Sequence, residues 1–434
     1  MHQADTPVAA SQWRAPDLVD VAHPFGRWAE GTAGLGIVTL PLLIPSGPGN
    51  SAPVDVVVFA VVLVTVATAV RAGHLLHVPY ALPVLLSVLA ALVAELVHGG
   101  RTGTVLAVTQ DVLLLLWAGS LASIGRHPVV MRRLLVTWAA TSTLAAGVLV
   151  TAVSLGLNGV AGRVEEEGTR ASLTFGDPNR AGSYFAVSVL VLLCAGWPRH
   201  RTLRWLAVGL LLLALAQTGS NAGLVAVLTG LLLVAVLAAS RRLGTLRGLG
   251  AALGAVGLAG FLLSGLDLQA LSRQAHESGS PLLANTLGRA QKGGQDRGLL
   301  LGETLQVFER EGVTGVGAGG TKEALREEQA QYVKEAHNDY VAALVERGAL
   351  GALALLLLVG AVAARAVVLL RRGGGTALNS AVPQPMFLAA AAASCAVAGW
   401  FHEVSHFRHV WALLGLVAAA GLIARAERSE EEIA

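Results

Sequence analysis

The sequence predicts an all-α bundle of membrane-spanning helices. Of its 434 residues, 54% are hydrophobic and only 14% are charged, whereas soluble domains carry about 25% charged residues. Apolar stretches recur along the chain with lengths near the roughly 20 residues that a helix needs to cross a bilayer core. Together these observations predict a polytopic membrane protein with about twelve transmembrane helices.

The predicted spans lie between charged residues and turn residues. They cover approximately 29–45, 54–70, 79–97, 104–124, 134–156, 181–197, 203–217, 221–239, 247–265, 348–370, 386–402 and 408–424. The resulting organisation is a cytoplasmic segment 1–28, a bundle 29–265, an extracytoplasmic loop 266–347, C-terminal spans 348–424 and a cytoplasmic tail 425–434.

Arginine placement predicts the orientation. With the N-terminus inside, the cytoplasmic loops carry Arg71, Arg126, Arg132, Arg133, Arg199, Arg201, Arg204, Arg241, Arg242, Arg247, Arg371 and Arg372. Basic residues near span ends usually remain cytoplasmic, so the long loop lies outside. Because these residues are dispersed among short loops, they predict topology and no nucleic-acid partner. Cys194 and Cys395 both lie in apolar runs, which predicts no disulfide.

The long outer loop is the most polar part of the chain. Its second half has helical spacing with interleaved charges, and a shorter polar segment, 157–180, is predicted on the same side. His337 lies at the edge of the next apolar run. An imidazole has a near-neutral intrinsic pKa and can exchange a proton with a substrate. His337 is therefore the leading catalytic candidate, at a site on the outer membrane surface.

Four stretches carry a resemblance to a known family. They are RASLTFGDPNRAG (170–182), QTGSNAG (217–223), the spacing from Arg297 to GVG at Gly315, and AHNDYVAALVERGALG (336–351). These stretches resemble the motifs of the O-antigen ligase and O-antigen polymerase family. Asn221 stands where the family usually has arginine, and Leu301 where it has tryptophan.

The resemblance implies a glycosyltransferase C-like bundle whose outer loop covers the site. The implied reaction is attack of an acceptor hydroxyl on a glycan linked to undecaprenyl diphosphate, without a cofactor or metal. The donor, a lipid or glycan acceptor and membrane lipids would be the partners, and the site would face the periplasm at the bacterial inner membrane. His337 would be the base. The residues implied to hold the diphosphate or a sugar are Arg170, Arg297, Asn338, Arg180 and Asn179.

Several alternatives remain open from the sequence. A ligase using lipid A-core as acceptor is preferred, and a polymerase would use the same donor. Asp111 inside a span would suit a lipid-linked glycan transporter. HEVSH (402–406) matches a zinc-protease signature, although it falls where a turn between spans is expected. GVGAGG (315–320) resembles a phosphate loop but follows no convincing strand, so its glycines indicate a tight turn.

Overall fold

The protein is described here by a computed structural model. It describes residues 25–45, 51–98, 102–163, 170–251, 253–254, 268–280, 283, 292–371 and 376–433. Most of the predicted cytoplasmic segment 1–28 and of the predicted span 247–265 lies outside these residues. Within the described ranges, the regular elements are all helices, which confirms the all-α prediction.

The helices are numbered in chain order. The first nine are α1 (Gly26–Thr39), α2 (Pro53–Ala72), α3 (Ala81–His98), α4 (Thr102–Gly125), α5 (Pro128–Ser154), α6 (Asn158–Ala161), α7 (Pro178–Ala195), α8 (Arg201–Thr218) and α9 (Asn221–Leu243). The long loop contains α10 (Leu268–Glu277), α11 (Lys292–Glu311) and α12 (Thr321–Glu327). The chain then forms α13 (Asp339–Arg371), α14 (Thr376–Ala381), α15 (Pro385–Ala398) and α16 (Arg408–Ile433).

Among the described residues, 8 helices are long and apolar enough to cross a membrane, so the protein is multi-pass. They are α2, α3, α4, α5, α7, α9, α13 and α16. Three shorter or more polar helices, α1, α8 and α15, coincide with further predicted spans. The count of twelve and the glycosyltransferase C class remain predictions.

Burial divides the spanning helices into central and peripheral ones. In its most apolar window α7 is 94% buried and is also the least hydrophobic span, whereas α13 is 22% buried and among the most hydrophobic. This inverse relation is expected, because peripheral helices face lipid tails while central helices face protein. The central helix α7 packs against α5, α8, α9 and α15. Its N-terminus therefore lies where several helix ends meet.

A buried ion pair fixes α16 at that same end. The Arg408 guanidinium donates to both carboxylate oxygens of Asp55, at 2.8 and 2.6 Å, and Arg408 is only 4% exposed. Planar two-point contact of this kind holds both groups in one orientation. Arg408 follows directly after the turn between α15 and α16, so this pair also positions that turn.

Breaking the Asp55–Arg408 pair is expected to destabilise the fold strongly. Arg408→Met leaves the Asp55 carboxylate without its main partner, at an expected cost of about 3–5 kcal/mol. Arg408→Met combined with Asp55→Asn should recover part of this loss. Arg133→Ala is the matched control, because its pair with Glu30 involves an arginine side chain that is 64% exposed; it should cost less than about 1 kcal/mol. Thermal unfolding of the detergent-solubilised variants measures the difference, and equal losses would contradict the prediction.

A second hydrophobic cluster attaches the outer loop to α13. It comprises Leu300 and Val307 from α11, Val316 from the glycine-rich turn, Leu325 from α12 and Val345 from α13. It is separate from the main core of the bundle. The first turns of α13 are therefore held by the outer loop, whereas the rest of that helix runs through the bundle.

Candidate functional site

The glycine-rich turn and the start of α13 form one structural unit. α13 is broken at Gly348, whose backbone has φ 64° and ψ −165°. The carbonyls of Val345 and Glu346 accept hydrogen bonds from the backbone N–H groups of Val316 (2.8 Å) and Gly317 (3.0 Å). The turn thus satisfies carbonyls that a continuous helix would have satisfied itself. The third and fourth motifs therefore pack against each other.

The Glu346 carboxylate closes this unit. It accepts hydrogen bonds from the Gly319 backbone N–H (2.9 Å) and from the Thr321 hydroxyl (2.8 Å). Gly319 has φ 71°, in the left-handed region that glycine adopts at low cost. The turn therefore binds a carboxylate of the chain itself, and Glu346 is a loop-anchoring residue.

The first and second motifs also pack against each other, through Arg170. Its Nε donates to the Thr218 carbonyl at 2.9 Å, and a terminal nitrogen donates to Asn179 Oδ1 at 2.9 Å. The next residue, Ala171, donates its N–H to the Gln217 carbonyl. Arg170 is 4% exposed. It joins the C-terminus of α8 to the N-terminus of α7, and Asn179 supports it there.

Asp177 begins α7 and links it to the last outer turn. Its Oδ1 accepts from the backbone N–H groups of Asn179 (2.8 Å) and Arg180 (2.9 Å), which is the usual role of a helix-capping aspartate. The same oxygen lies 4.0 Å from His402 Nε2. His402 belongs to the turn 399–407 between α15 and α16. One carboxylate therefore connects two helix ends that are far apart in sequence.

His337 lies on the other side of His402. Their rings are stacked, with centroids 5.5 Å apart and planes at 24°. His337 has φ 50°, which is uncommon for a residue other than glycine, and its backbone N–H donates to Glu403 Oε1 at 3.0 Å. Backbone strain of this kind often accompanies a functional constraint. His337, His402 and Asp177 are thus adjacent at one end of the bundle.

One carboxamide and one carboxylate fix the start of α13, directly after His337 in the chain. Asn338 Oδ1 caps the helix by accepting from the N–H groups of Tyr340 (2.9 Å) and Val341 (3.2 Å). The Asp339 carboxylate accepts from the N–H groups of Val404 and Ser405. The turn 399–407 is therefore attached to the residues that carry His337.

Burial shifts the pKa values of His402 and Glu403 in the turn 399–407. Removal from solvent lowers the pKa of His402 to about 4, although Asp177 opposes this shift. Burial, together with the nearby carboxylates of Glu346 and Glu335, raises the pKa of Glu403 well above its usual range. At neutral pH His402 is therefore a neutral imidazole, which can share a proton with the groups around it.

Arg180 is a cation that interacts electrostatically with His402. Its guanidinium lies 5.6 Å from the centre of the Phe407 ring. Its Nε is buried and has no hydrogen-bond partner among the described residues. A donor in this state has the hydrogen-bonding capacity to receive an anionic oxygen of a ligand.

The predicted site residues therefore fall into three groups. His337 and Arg180 lie beside His402, whereas Arg170, Asn179 and Asn338 have side chains engaged with the ends of α7, α8 and α13. Arg297 lies in α11, but its side chain is outside what the structure describes. The sequence analysis did not assign Asp177, His402 or Glu403 to the site. The histidine-rich stretch 402–409 beside an expected turn was the available signal.

The zinc-protease alternative depended on HEVSH forming a helix. Residues 401–407 instead form turns and irregular backbone, so His402 and His406 do not share a helix face. Among the described residues, no three His, Cys, Asp or Glu side chains gather as a metal site would require. The turn expected from the sequence is present, and the donor geometry of that protease class is not found in this part of the chain.

Comparison with known proteins bears on the same region. Residues 206–356 match the family described as O-Antigen ligase. Over these residues the chain is similar to O-antigen ligases. The match extends from α8 through the break in α13 and includes the second, third and fourth motifs. No match was found among curated proteins.

An apolar cavity begins beside the candidate site. It measures about 400 Å³ and extends from Tyr340 and Gly399, near the site, to Leu370 at the far end of α13. Its walls come from α9, α13, α15 and α16 and are almost entirely aliphatic. Such a cavity accepts a hydrocarbon chain rather than a polar ligand.

Proposed function

We propose that this protein is a membrane glycosyltransferase that moves a glycan from undecaprenyl diphosphate to an acceptor hydroxyl. The O-antigen ligase family match and the multi-pass helical fold support a ligase- or polymerase-like membrane enzyme. The observation that supports the finer proposal is the meeting of His337, His402 and Arg180 next to residues that line the apolar cavity.

The proposed reaction needs one base and one site for negative charge. The acceptor oxygen bonds to the anomeric carbon, and the bond from that carbon to the diphosphate oxygen breaks with its electron pair. The hydroxyl proton passes to His337, whose side chain is less buried than that of His402. The diphosphate charge is held by Arg180. In this proposal arginine neutralises the leaving group and no metal ion takes part.

The apolar cavity supports the lipid part of the proposal. A polyprenyl chain entering along α13 would bring its diphosphate to the level of Tyr340 and Gly399, next to His337. The Arg170 side chain would support the site indirectly, because it fixes the α7 N-terminus through Asn179. Arg297 and Asn338 remain proposed contacts of the diphosphate or sugar.

A ligase is the preferred activity, with lipid A-core as acceptor at the periplasmic face of the inner membrane. A polymerase would use the same donor and a second lipid-linked glycan as acceptor. Both would place the acceptor at the outer end of the bundle, where the site groups lie. The acceptor therefore has to be distinguished by experiment.

The test is transfer by the purified protein in proteoliposomes containing a radiolabelled undecaprenyl-diphosphate glycan. A ligase moves the label to added lipid A-core, whereas a polymerase lengthens the lipid-linked glycan, and either should proceed in EDTA. Deleting the gene in the source organism should leave unattached long glycan for a ligase, or a single attached repeat for a polymerase. Movement of the intact donor across the membrane without transfer would overturn the proposal in favour of a transporter.

A further inference from the structure

A second, polar cavity lies beside the site and has no assigned role. It measures about 360 Å³ and lies between α3, α4, the glycine-rich turn and α13. Glu403, which accepts the His337 N–H, forms part of its wall. The cavity is therefore separated from His337 by one side chain.

The cavity reaches into the membrane-spanning part of the bundle. Its lining includes Asp111, about 13 Å from the start of α4, and Arg347, which pairs with it. Polar groups at such depth are costly when they face lipid and usually mark a ligand or ion pathway. A cavity of this size is also within the range that small-ligand sites occupy.

The Arg and Lys side chains of the cavity are paired with carboxylates, and the carboxyl groups of Asp339 and Glu403 accept backbone N–H donors. Arg347 donates to Asp111 at 2.5 Å and also contacts the Ser87 hydroxyl, and Lys322 pairs with Glu335 at 2.9 Å. Glu346 is engaged by the glycine-rich turn, as described above. A metal cation would need carboxylates that lack such partners, and an anion would need a cation that is not already paired. The lining therefore favours a neutral ligand.

Two polar side chains in the lining have unused hydrogen-bonding atoms. Gln110 Nε2 and His406 Nε2 are buried and have no hydrogen-bond partner among the described residues, and both residues line the cavity. Buried polar atoms are rarely left unpaired unless a ligand or water satisfies them. Trp411 adds an aromatic ring to the same wall. A donor amide, an imidazole, carboxylate acceptors and an aromatic ring are groups that suit a hydroxyl-rich ring.

We propose that the polar cavity binds a neutral pyranose ring of one of the substrates, with Gln110 and His406 as its contacts. The ring would lie on the opposite side of Glu403 from His337. The identity of the ring's source, donor or acceptor, rests on the proposed function. The existence of the site does not, because sugar binding is measurable without transfer.

The experiment uses the purified full-length protein and the variant Gln110→Leu. The control is Thr109→Leu, since Thr109 is exposed on the same helix and hydrogen-bonds only to Val105 within it. The probes are methyl hexopyranosides, and the readout is the thermal unfolding midpoint, which rises when a ligand binds the folded state. Without sugar, Gln110→Leu should be at least as stable as the wild type, because it removes an unpaired buried amide.

At least one methyl hexopyranoside should raise the midpoint of the wild type and of Thr109→Leu, but not that of Gln110→Leu. Equal stabilisation of all three proteins, or of none, would overturn the site. Where transfer activity is present, Gln110→Leu should raise the KM of one substrate by about tenfold, the effect of losing one good hydrogen bond. A change in the acceptor KM assigns the ring to the acceptor, and a change in the donor KM assigns it to the donor. If transfer fails altogether, the sugar-dependent midpoint still decides the inference.

Discussion

Replacing His337 by asparagine is expected to lower transfer turnover by about 10²–10⁴-fold, the usual contribution of a positioned general base. Asparagine is the informative substitution because it tolerates the left-handed backbone that His337 adopts at φ 50°. The N–H bond to Glu403 can therefore remain, while the proton-accepting ring is lost. The measurement is initial transfer rate at saturating donor, normalised to the amount of folded protein.

Two further variants separate chemistry from structure at this position. His337→Gly relieves the backbone strain and should be equally inactive, whereas His200→Ala, at an exposed histidine before α8, should retain full activity. Donor binding by His337→Asn should stay close to that of the wild type, because the proposed diphosphate contacts lie on α7. A His337→Asn enzyme whose turnover stays within about threefold of the wild type would remove His337 from the role of base.

Gly348→Ala is expected to prevent accumulation of the folded protein. Gly348 has φ 64° and ψ −165°, a region that is essentially restricted to glycine. An added Cβ would also lie 2.0 Å from the Val313 carbonyl oxygen, which is backbone and cannot move aside cheaply. The backbone strain alone costs about 1–3 kcal/mol, and the clash adds to it. The expected loss is large because the unit that orients His337 depends on this break.

Gly360→Ala is the matched control for this prediction. It lies in the same helix, and an added Cβ there would meet no atom within 4 Å. Alanine is a better helix former than glycine, so this variant should be unchanged or gain about 0.5–1 kcal/mol. Membrane abundance and size-exclusion profiles in detergent compare the two variants. A monodisperse Gly348→Ala protein at normal abundance would show that the break is not required.

The membrane helices were largely predictable, because lipid imposes a length and a composition on each span. Differences occur where polar residues continue a helix. The predicted span 348–370 corresponds to α13, which begins at Asp339, since the loop and the cap of Asn338 support the additional turns. The predicted span 386–402 corresponds to α15, which ends at Ala398. The charged residues that mark the edge of the membrane do not by themselves end a helix.

The candidate site was only partly predictable. His337 and Arg180 were selected from motifs and from a family resemblance, and the structure brings them together with His402. Asp177 and His402 could not be paired from the sequence, because their contact joins the start of α7 to a turn near the C-terminus. Arg170 was expected to hold the diphosphate, which stays a prediction, and the contacts of its guanidinium with Thr218 and Asn179 were not expected. Such contacts depend on helix packing, for which a single sequence carries no local signal.

The late position of His402 in the chain has a consequence for biosynthesis. A ribosome delivers α7 and the first turns of α13 to the membrane well before residues 399–407 emerge, so the nascent protein contains Asp177 and His337 without the histidine that lies between them. The candidate site is therefore completed only when the final helical hairpin inserts. Up to that moment the growing chain can enter the bilayer, but the candidate site is not assembled.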